Sequence, residues 1–205
     1  MRTFPFHLGR HPGPSRPARG IAGFTLLEML AVLGVFLLAL AMVLPGLNGV
    51  LDGRALDAAT AQAATDLRLA RQQAITANRD VIVRIYEIPE GAGWAMRGYQ
   101  SFLPDTGGAA PRALSAATFL PPGVRFSTQA DETTLLTLPG QTPDAAAPAL
   151  PPPVARNYRY RTLLFRANGT PLRGFCLTLR PMRGSAPGRT IAIDEATGRI
   201  TVFTP

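Results

Sequence analysis

The chain has 205 residues, of which 46% are hydrophobic, and a formal net charge of +8. This length suits one compact domain with appendages, and the 20 glycines and 20 prolines predict many turns and irregular connections around its core. The charge alone does not indicate a nucleic-acid partner, because 17 of the 21 basic residues but all 13 acidic residues follow residue 23, which leaves +4 for that part.

Several classes of catalytic site are excluded by what the chain lacks beyond residue 23. Its only histidines are His7 and His11, it contains no lysine, and Cys176 is its only cysteine. Ser-His and Cys-His nucleophile pairs, Ser-Lys dyads, a Walker lysine and histidine- or cysteine-rich metal sites are therefore excluded there. We expect a protein that is not an enzyme and that uses no metal and no cofactor.

Residues 1–23 form an N-terminal segment rich in arginine and proline, which we expect to be unstructured. It contains four arginines and no acidic residue. Positively charged flanks tend to stay on the cytoplasmic side of a membrane. The segment is therefore expected to remain cytoplasmic while the rest of the chain is exported.

Residues 24–47 form an apolar stretch whose only ionisable side chain is Glu28. As an α-helix it would extend about 36 Å, which is enough to cross a bilayer. Three interpretations are open: an ordinary signal anchor, a secretory signal cleaved after the small residues 39–41, or a helix that uses its carboxylate.

The carboxylate of Glu28 needs a partner, because an acid at mid-span costs about 2.5–3.5 kcal/mol on insertion scales. Cleavage between Gly23 and Phe24 would create an α-amine one helical turn away, with a reference pKa of about 7.7–8.0. Between subunits, the amine of one chain could pair with the carboxylate of its neighbour. Such a pair would fix the register of otherwise apolar helices.

These residues resemble the leader and first helix of type IV pilins and type II secretion pseudopilins. RGIAG, residues 19–23, is followed by FTLLEML, residues 24–30, and by the apolar run. The resemblance implies that a prepilin peptidase cleaves between Gly23 and Phe24, that Phe24 is N-methylated, and that Glu28 is the assembly glutamate. Pro45 matches a proline common in the family and is expected to kink the helix. The leader is longer than is usual in the family, so either it is extended or the natural start lies downstream.

Beyond the apolar stretch, residues 48–205 are expected to form the globular domain. A helical pattern over about 51–78 places small residues on one stripe that suits close packing on a sheet. The stripe is Leu51, Ala55, Ala59, Ala63, Leu67, Ala70 and Ala74. Alternating and β-branched runs predict strands at 81–86, 94–99, 124–128, 133–138, 158–166, 175–180, 190–193 and 200–203. The fold class is therefore α+β, with a long helix packed on antiparallel sheets.

Two proline-rich stretches, near 103–122 and 139–154, are expected to be long loops that bury too little surface to order themselves. The acidic pairs 131–132 and 194–195 are expected in solvated turns. Cys176, within a strand, is expected to be a buried free thiol.

The globular part resembles a family of minor pseudopilins that includes general secretion pathway protein H and the fimbrial T-type minor pilins. The similar segments are DLRLARQQAITANRDVIV, LLFRANGTPLRG and RTIAIDEATGRITV. Recurring positions of the family fall on Arg71, Ala74, Asn78, Phe165, Gly169, Gly198 and Arg199. We expect the two glycines to supply turns with positive φ, and Phe165, Trp94 and Leu164 to fill the core.

The resemblance implies a pilin-like fold and a minor pseudopilin at the tip of a periplasmic filament. The chain would be a single-pass protein of the bacterial inner membrane with its C-terminal domain in the periplasm. Its expected partners are the prepilin peptidase, other major and minor pseudopilins and, as further candidates, secreted substrates.

Two alternatives are open. One is a T-type minor pilin of a type IV pilus, in pilus assembly or DNA uptake, with Arg199, Arg159 and Arg161 as candidate DNA contacts. Gly198-Arg199-Ile200-Thr201 keeps the first arginine of the family's GRxR motif and has threonine in place of the second. The other is a periplasmic domain behind an ordinary cleavable signal.

Overall fold

The computed structural model describes residues 24–105, 110–143, 147, 150–151, 154, 157–182 and 187–204, without the side chains of 43–51. The leader, including Gly23, lies outside the described residues, as does most of the stretch 139–154 beyond residue 143. The chain divides into two compact units, one ending at Leu44 and one beginning at Pro45.

One long α-helix, α1, extends over Leu26–Ala77. It ends in a Schellman motif, in which the Arg79 N–H donates to the Ala74 carbonyl at 3.2 Å and the Asn78 N–H donates to the Ile75 carbonyl at 3.2 Å. Asn78 has φ 49°, the left-handed conformation that this cap requires and that asparagine tolerates. The predicted helix end is confirmed.

Among the described residues, none of the helical segments combines the length and the apolar character needed to cross a membrane.

The second unit contains two antiparallel sheets. The strands are β1 Val81–Glu90, β2 Gly93–Leu103, β3 Arg112–Ala113, β4 Thr118–Phe119, β5 Val124–Phe126, β6 Arg159–Phe165, β7 Phe175–Pro181, β8 Arg189–Ile193 and β9 Ile200–Phe203. The first sheet has the order β3-β2-β1-β6, with β4 also paired to β2, and the second has the order β5-β7-β8-β9. This arrangement confirms the predicted α+β class with a helix and antiparallel sheets.

The main core contains side chains of α1 and of both sheets. From the helix, the buried residues are Leu56, Ala59, Ala63, Ala64, Leu67, Ala70 and Ala74. From the sheets, they include Val83, Ile85, Leu163, Phe165, Leu177, Leu179, Ile191 and Ile193. The small-residue stripe is therefore the packing face, as predicted, and alanine side chains allow a close approach of helix and sheet.

A second cluster covers the other face of the first sheet and consists of Tyr86, Tyr158, Tyr160 and Leu150. Beside it, the guanidinium of Arg84 lies 4.4 Å from the ring centroid of Tyr160 and 4.8 Å from that of Phe102. Stacking on two aromatic faces offsets part of the cost of burying this cation.

The first of the two proline-rich stretches contains more regular structure than expected for a long loop. The segment 103–122 contributes β3 and β4, because β2 is longer than predicted and offers main-chain groups for pairing. In the stretch 139–154, Ala147 and Leu150 are buried, so the described part of it is anchored by apolar side chains.

The predicted strand 133–138 is wrong, because Leu135–Thr137 form a single 3₁₀ turn. The Thr133 hydroxyl accepts from the Leu135 N–H at 3.2 Å and donates to the Cys176 carbonyl at 2.9 Å. Threonine hydroxyls that bond to nearby main chain favour turns over strand ladders.

Three burial predictions also need correction. Leu163 and Phe165 face the core, so Leu164, one residue out of phase, is only half-buried. Trp94 is 38% exposed at the β1–β2 hairpin. Cys176 is half-buried, because its strand presents alternate residues to the other face of the sheet.

Candidate assembly site and C-terminal hairpin

The start of α1 places Glu28 in its first turn. The Glu28 N–H donates to the Thr25 hydroxyl at 3.2 Å, and the Met29 N–H donates to the Thr25 carbonyl at 3.1 Å. Thr25 is therefore the N-cap, and Thr-x-x-Glu is the sequence pattern of a capping box. An acid at this position is also favoured by the helix macrodipole. Phe24 precedes the helix, so the predicted cleavage site adjoins non-helical backbone.

The described apolar side chains around Glu28 are exposed. Phe24 is 69% exposed, Leu26 82% and Leu27 79%, and the large apolar side chains continue exposed to Met42. Glu28 is itself exposed among these side chains. Its role in assembly and the kink at Pro45 stay predictions.

Two arginines of α1 hold the C-terminal part of the chain. Arg71 Nε donates to the Gly169 carbonyl at 3.0 Å, and its Nη2 donates to the Thr197 carbonyl at 3.0 Å. One turn earlier, Arg68 Nη2 donates to the Ile200 carbonyl at 3.2 Å. We call these two side chains the arginine clamp. It joins the helix to the turn after β6 and to the β8–β9 hairpin.

The arginine clamp depends on two glycines, Gly169 and Gly198, whose turns lie in close contact. Gly169 has φ +80° and Gly198 has φ +65°, which confirms the predicted positive-φ turns. A Cβ on Gly198 would lie 2.1 Å from the Gly169 carbonyl oxygen and 2.9 Å from Arg71 Nε. Glycine is therefore required at 198 both for its backbone conformation and for the close approach of the two turns.

The turn of the β8–β9 hairpin is closed by Asp194. Its Oδ1 accepts from the Thr197 hydroxyl at 2.7 Å and from the Thr197 N–H at 2.8 Å. These two hydrogen bonds stabilise the ionised carboxylate and lower the pKa of Asp194 below its ordinary value of 3.8. The acid is a turn residue, as predicted, but it has a specific structural role.

Glu132, another of the four expected turn acids, differs from its prediction. It forms an ion pair with Arg180 and accepts from the Ser127 hydroxyl at 2.7 Å. Its side chain is only 16% exposed, so it is not a solvated turn acid.

The three candidate DNA contacts lie in different surroundings. Arg159 stacks on Trp94, with its guanidinium carbon 4.4 Å from the ring. Arg161, on the same strand, donates to the Leu138 carbonyl at the end of the 3₁₀ turn. Arg199 is exposed in the hairpin of the other sheet. The described contacts do not bring these three side chains into one patch.

A partly buried polar pair joins the helix to β2. Tyr99 donates its hydroxyl to Asp66 Oδ2 at 2.7 Å. Burial, followed by the bond to this carboxylate, raises the pKa of Tyr99 well above its ordinary value. No local sequence signal indicates this contact, because Asp66 and Tyr99 are 33 residues apart along the chain.

Comparison with known proteins gives one family match. The family model described as "Type II transport protein GspH" matches residues 59–197. No curated protein sequence matches the chain.

Among solved structures, the chain is similar to the type IV minor pilin FimU of Pseudomonas aeruginosa, with 18% identity and a TM-score of 0.43 over 73% of this chain and 92% of that chain. It is also similar to EpsH, the minor pseudopilin of the type 2 secretion system of Vibrio cholerae, with 13% identity and a TM-score of 0.46 over 73% of this chain and 97% of that chain.

Gly198→Ala should destabilise the protein more than Gly91→Ala does. Both glycines have positive φ, but a Cβ at 91 meets nothing within 4 Å. Gly91→Ala should cost only the left-handed strain of about 1–2 kcal/mol, whereas Gly198→Ala adds a steric cost of about 1–3 kcal/mol. Urea unfolding of the detergent-solubilised protein measures the difference. Equal losses in the two variants would contradict the role of the glycine contact.

Replacing Asp194 should have an effect that depends on pH. A carboxyl with a lowered pKa in the folded state contributes stability above its unfolded value and loses that contribution as the pH falls through the folded value. The unfolding midpoints of the protein and of Asp194→Asn should therefore differ near pH 6 and converge as the pH falls below 3.8. A difference that stays constant down to the lowest pH would refute this assignment.

Proposed function

The chain belongs to the type II transport protein GspH family, and we propose that it is a minor pseudopilin of a type II secretion system. In this proposal it forms part of the tip of a short periplasmic filament that helps to export folded proteins across the outer membrane. It acts as a structural component and not as an enzyme, and its partners are other major and minor pseudopilins.

The observation that carries the proposal is the carboxylate of Glu28 on an exposed apolar part of α1. Thr25 starts the helix so that the acid lies in its first turn, and the described apolar side chains around it are exposed. A free α-amine on Phe24 of a neighbouring subunit would neutralise the acid when the helices pack. A buried charge that loses its partner is costly, so the pair would enforce one axial register.

Each of the three parts of the chain has its own role in this proposal. Residues 1–23 act as the cytoplasmic leader, which the prepilin peptidase removes between Gly23 and Phe24. Residues 24–47 hold the chain in the bacterial inner membrane before assembly, since Glu28 is their only ionisable side chain. Residues 48–205 lie in the periplasm.

Glu28→Leu should leave insertion and processing intact but impair assembly. The mature variant should still begin at N-methylated Phe24 by intact-mass measurement, because cleavage precedes the pairing step. Its incorporation into the filament and the export of substrate should fall by at least about tenfold, since the neighbour's amine is left unpaired.

Asp52→Ala is the matched control, because it removes another exposed acid of α1 and should leave export unchanged. Normal export in Glu28→Leu would count against the proposal. A mature protein that begins near Met42 would instead support the ordinary signal peptide.

A type IV pilus component that contacts DNA is the alternative, and the exposed Arg199 in the C-terminal hairpin is what favours it. For a pseudopilin we expect no DNA mobility shift with the purified protein, even at low salt. A shift with steep salt dependence that is lost in Arg199→Ala but kept in Arg125→Ala, which changes an exposed arginine of β5, would favour the alternative.

A further inference from the structure

β9 is the outermost strand of the second sheet, and one side of its main chain faces away from β8. Asp194 N–H donates to the Arg199 carbonyl at 3.0 Å, and the register pairs Ile193 with Ile200 and Ile191 with Val202. In an antiparallel ladder, hydrogen-bonded and non-hydrogen-bonded pairs alternate. The N–H and C=O groups of Ile200 and Val202 therefore point outward.

One of these outward groups is already occupied by a side chain. Arg68 Nη2 donates to the Ile200 carbonyl at 3.2 Å, in the position that the N–H of an added strand would take. The main-chain groups of Val202 make no hydrogen bond on this side among the described residues.

The strand itself lacks the usual protection of a sheet edge. Its sequence, Ile-Thr-Val-Phe, contains no charge and no proline. Val202 is 43% exposed and Phe203 is 46% exposed. Sheet edges are normally protected by charged residues or by proline, and an apolar edge with free main-chain groups is a template for another strand.

A cleft beside this edge provides room for such a strand. It has a volume of about 260 Å³ and is lined on the helix side by Ala61, Thr65 and Arg68, and on the sheet side by Val202. Ala61 and Thr65 are exposed and small, so they would accept the inward side chains of an extended segment.

The charges of the cleft indicate which segment fits. Arg189 Nε lies 2.7 Å from Asp57 Oδ1, so these two lining residues neutralise each other. Arg68 remains as the cation, and the same cation would be present on a second copy of this chain. Self-pairing would bring the two like charges together, whereas a segment with a carboxylate would pair with Arg68 after it leaves the Ile200 carbonyl.

We propose that the edge of β9 binds an extended, acid-bearing segment of a different subunit of the filament by main-chain pairing. This inference rests on the proposed function and names a contact surface for it. The bound segment would add a strand to the second sheet, with main-chain hydrogen bonds to Ile200 and Val202 and its carboxylate on Arg68.

Photo-crosslinking in cells that carry the complete secretion system tests the contact. A photoreactive amino acid at Ala61 in the full chain should form an adduct with another filament subunit, identified by mass spectrometry. The control position is Ala77, an exposed alanine at the end of α1, which should not form this adduct.

Two substitutions at one position separate main-chain pairing from side-chain contact. Val202→Pro removes the outward N–H without removing a hydrogen bond to β8, whereas Val202→Ala keeps the N–H. The adduct should fall roughly fivefold or more in Val202→Pro relative to Val202→Ala. Equal adduct yields in the two variants, a dominant adduct with a second copy of this chain, or no adduct at Ala61 while export is normal would overturn the inference.

Hydrogen exchange of the unsubstituted chain gives a second measurement that does not depend on the folding of the proline variant. The amides of Ile200 and Val202 should be protected in the co-purified subunit complex and not in the detergent-solubilised chain alone, while that of Thr201 should be protected in both. Unchanged exchange at Ile200 and Val202 would overturn the inference. If Glu28→Leu blocks export while these amides stay unprotected in the complex, only the contact is wrong and the proposed function stands.

Discussion

The globular part of this protein depends on how closely α1 approaches the sheets. The alanines at 59, 63, 70 and 74 are buried on one stripe, and the larger side chains opposite them come from both sheets. A bulky residue in place of one of these alanines would separate helix and sheet, and close-packed interiors tolerate such overpacking poorly. The alanine face therefore sets the distance at which the side chains of the helix can reach the main chain of the C-terminal hairpin.

That distance makes the arginine clamp possible. Arg68 and Arg71 donate to carbonyls that are 132, 98 and 126 residues distant along the chain, so the last hairpin is tied directly to the helix. Hydrogen bonds from charged donors are stronger than neutral ones. Gly198 lacks a side chain that would keep the two turns apart, and Gly169 lacks one that would meet Ile75 of the helix. The helix, the turn after β6 and the β8–β9 hairpin are thus connected by contacts that depend on one another.

Features with a local physical cause were predictable from the sequence, and features set by distant contacts were not. The spacing of small residues identified the packing face and the end of α1, and the two turn glycines were expected to have positive φ. The assignment of 133–138 as a strand failed because the hydroxyl of Thr133 closes a turn. Leu164 was expected in the core, but Leu163 and Phe165 occupy that face of β6, because successive side chains of a strand point to opposite faces of the sheet. The partners of Arg71 and Asp66 could not be inferred, since nothing near them in the sequence indicates which strand or turn they will meet.

Arg68 of the same clamp also protects the edge of β9. The guanidinium of Arg68 occupies the Ile200 carbonyl and adds a positive charge beside the apolar side chains of β9. Protection by a flexible cation is reversible, because the guanidinium can leave the carbonyl when the N–H of an added strand replaces it. The guanidinium can then pair with a carboxylate of that strand. A proline or a bulge would protect the edge permanently. Protection by a charge therefore suits the proposed contact, in which this edge is unpaired in the free chain and paired with a segment of another subunit.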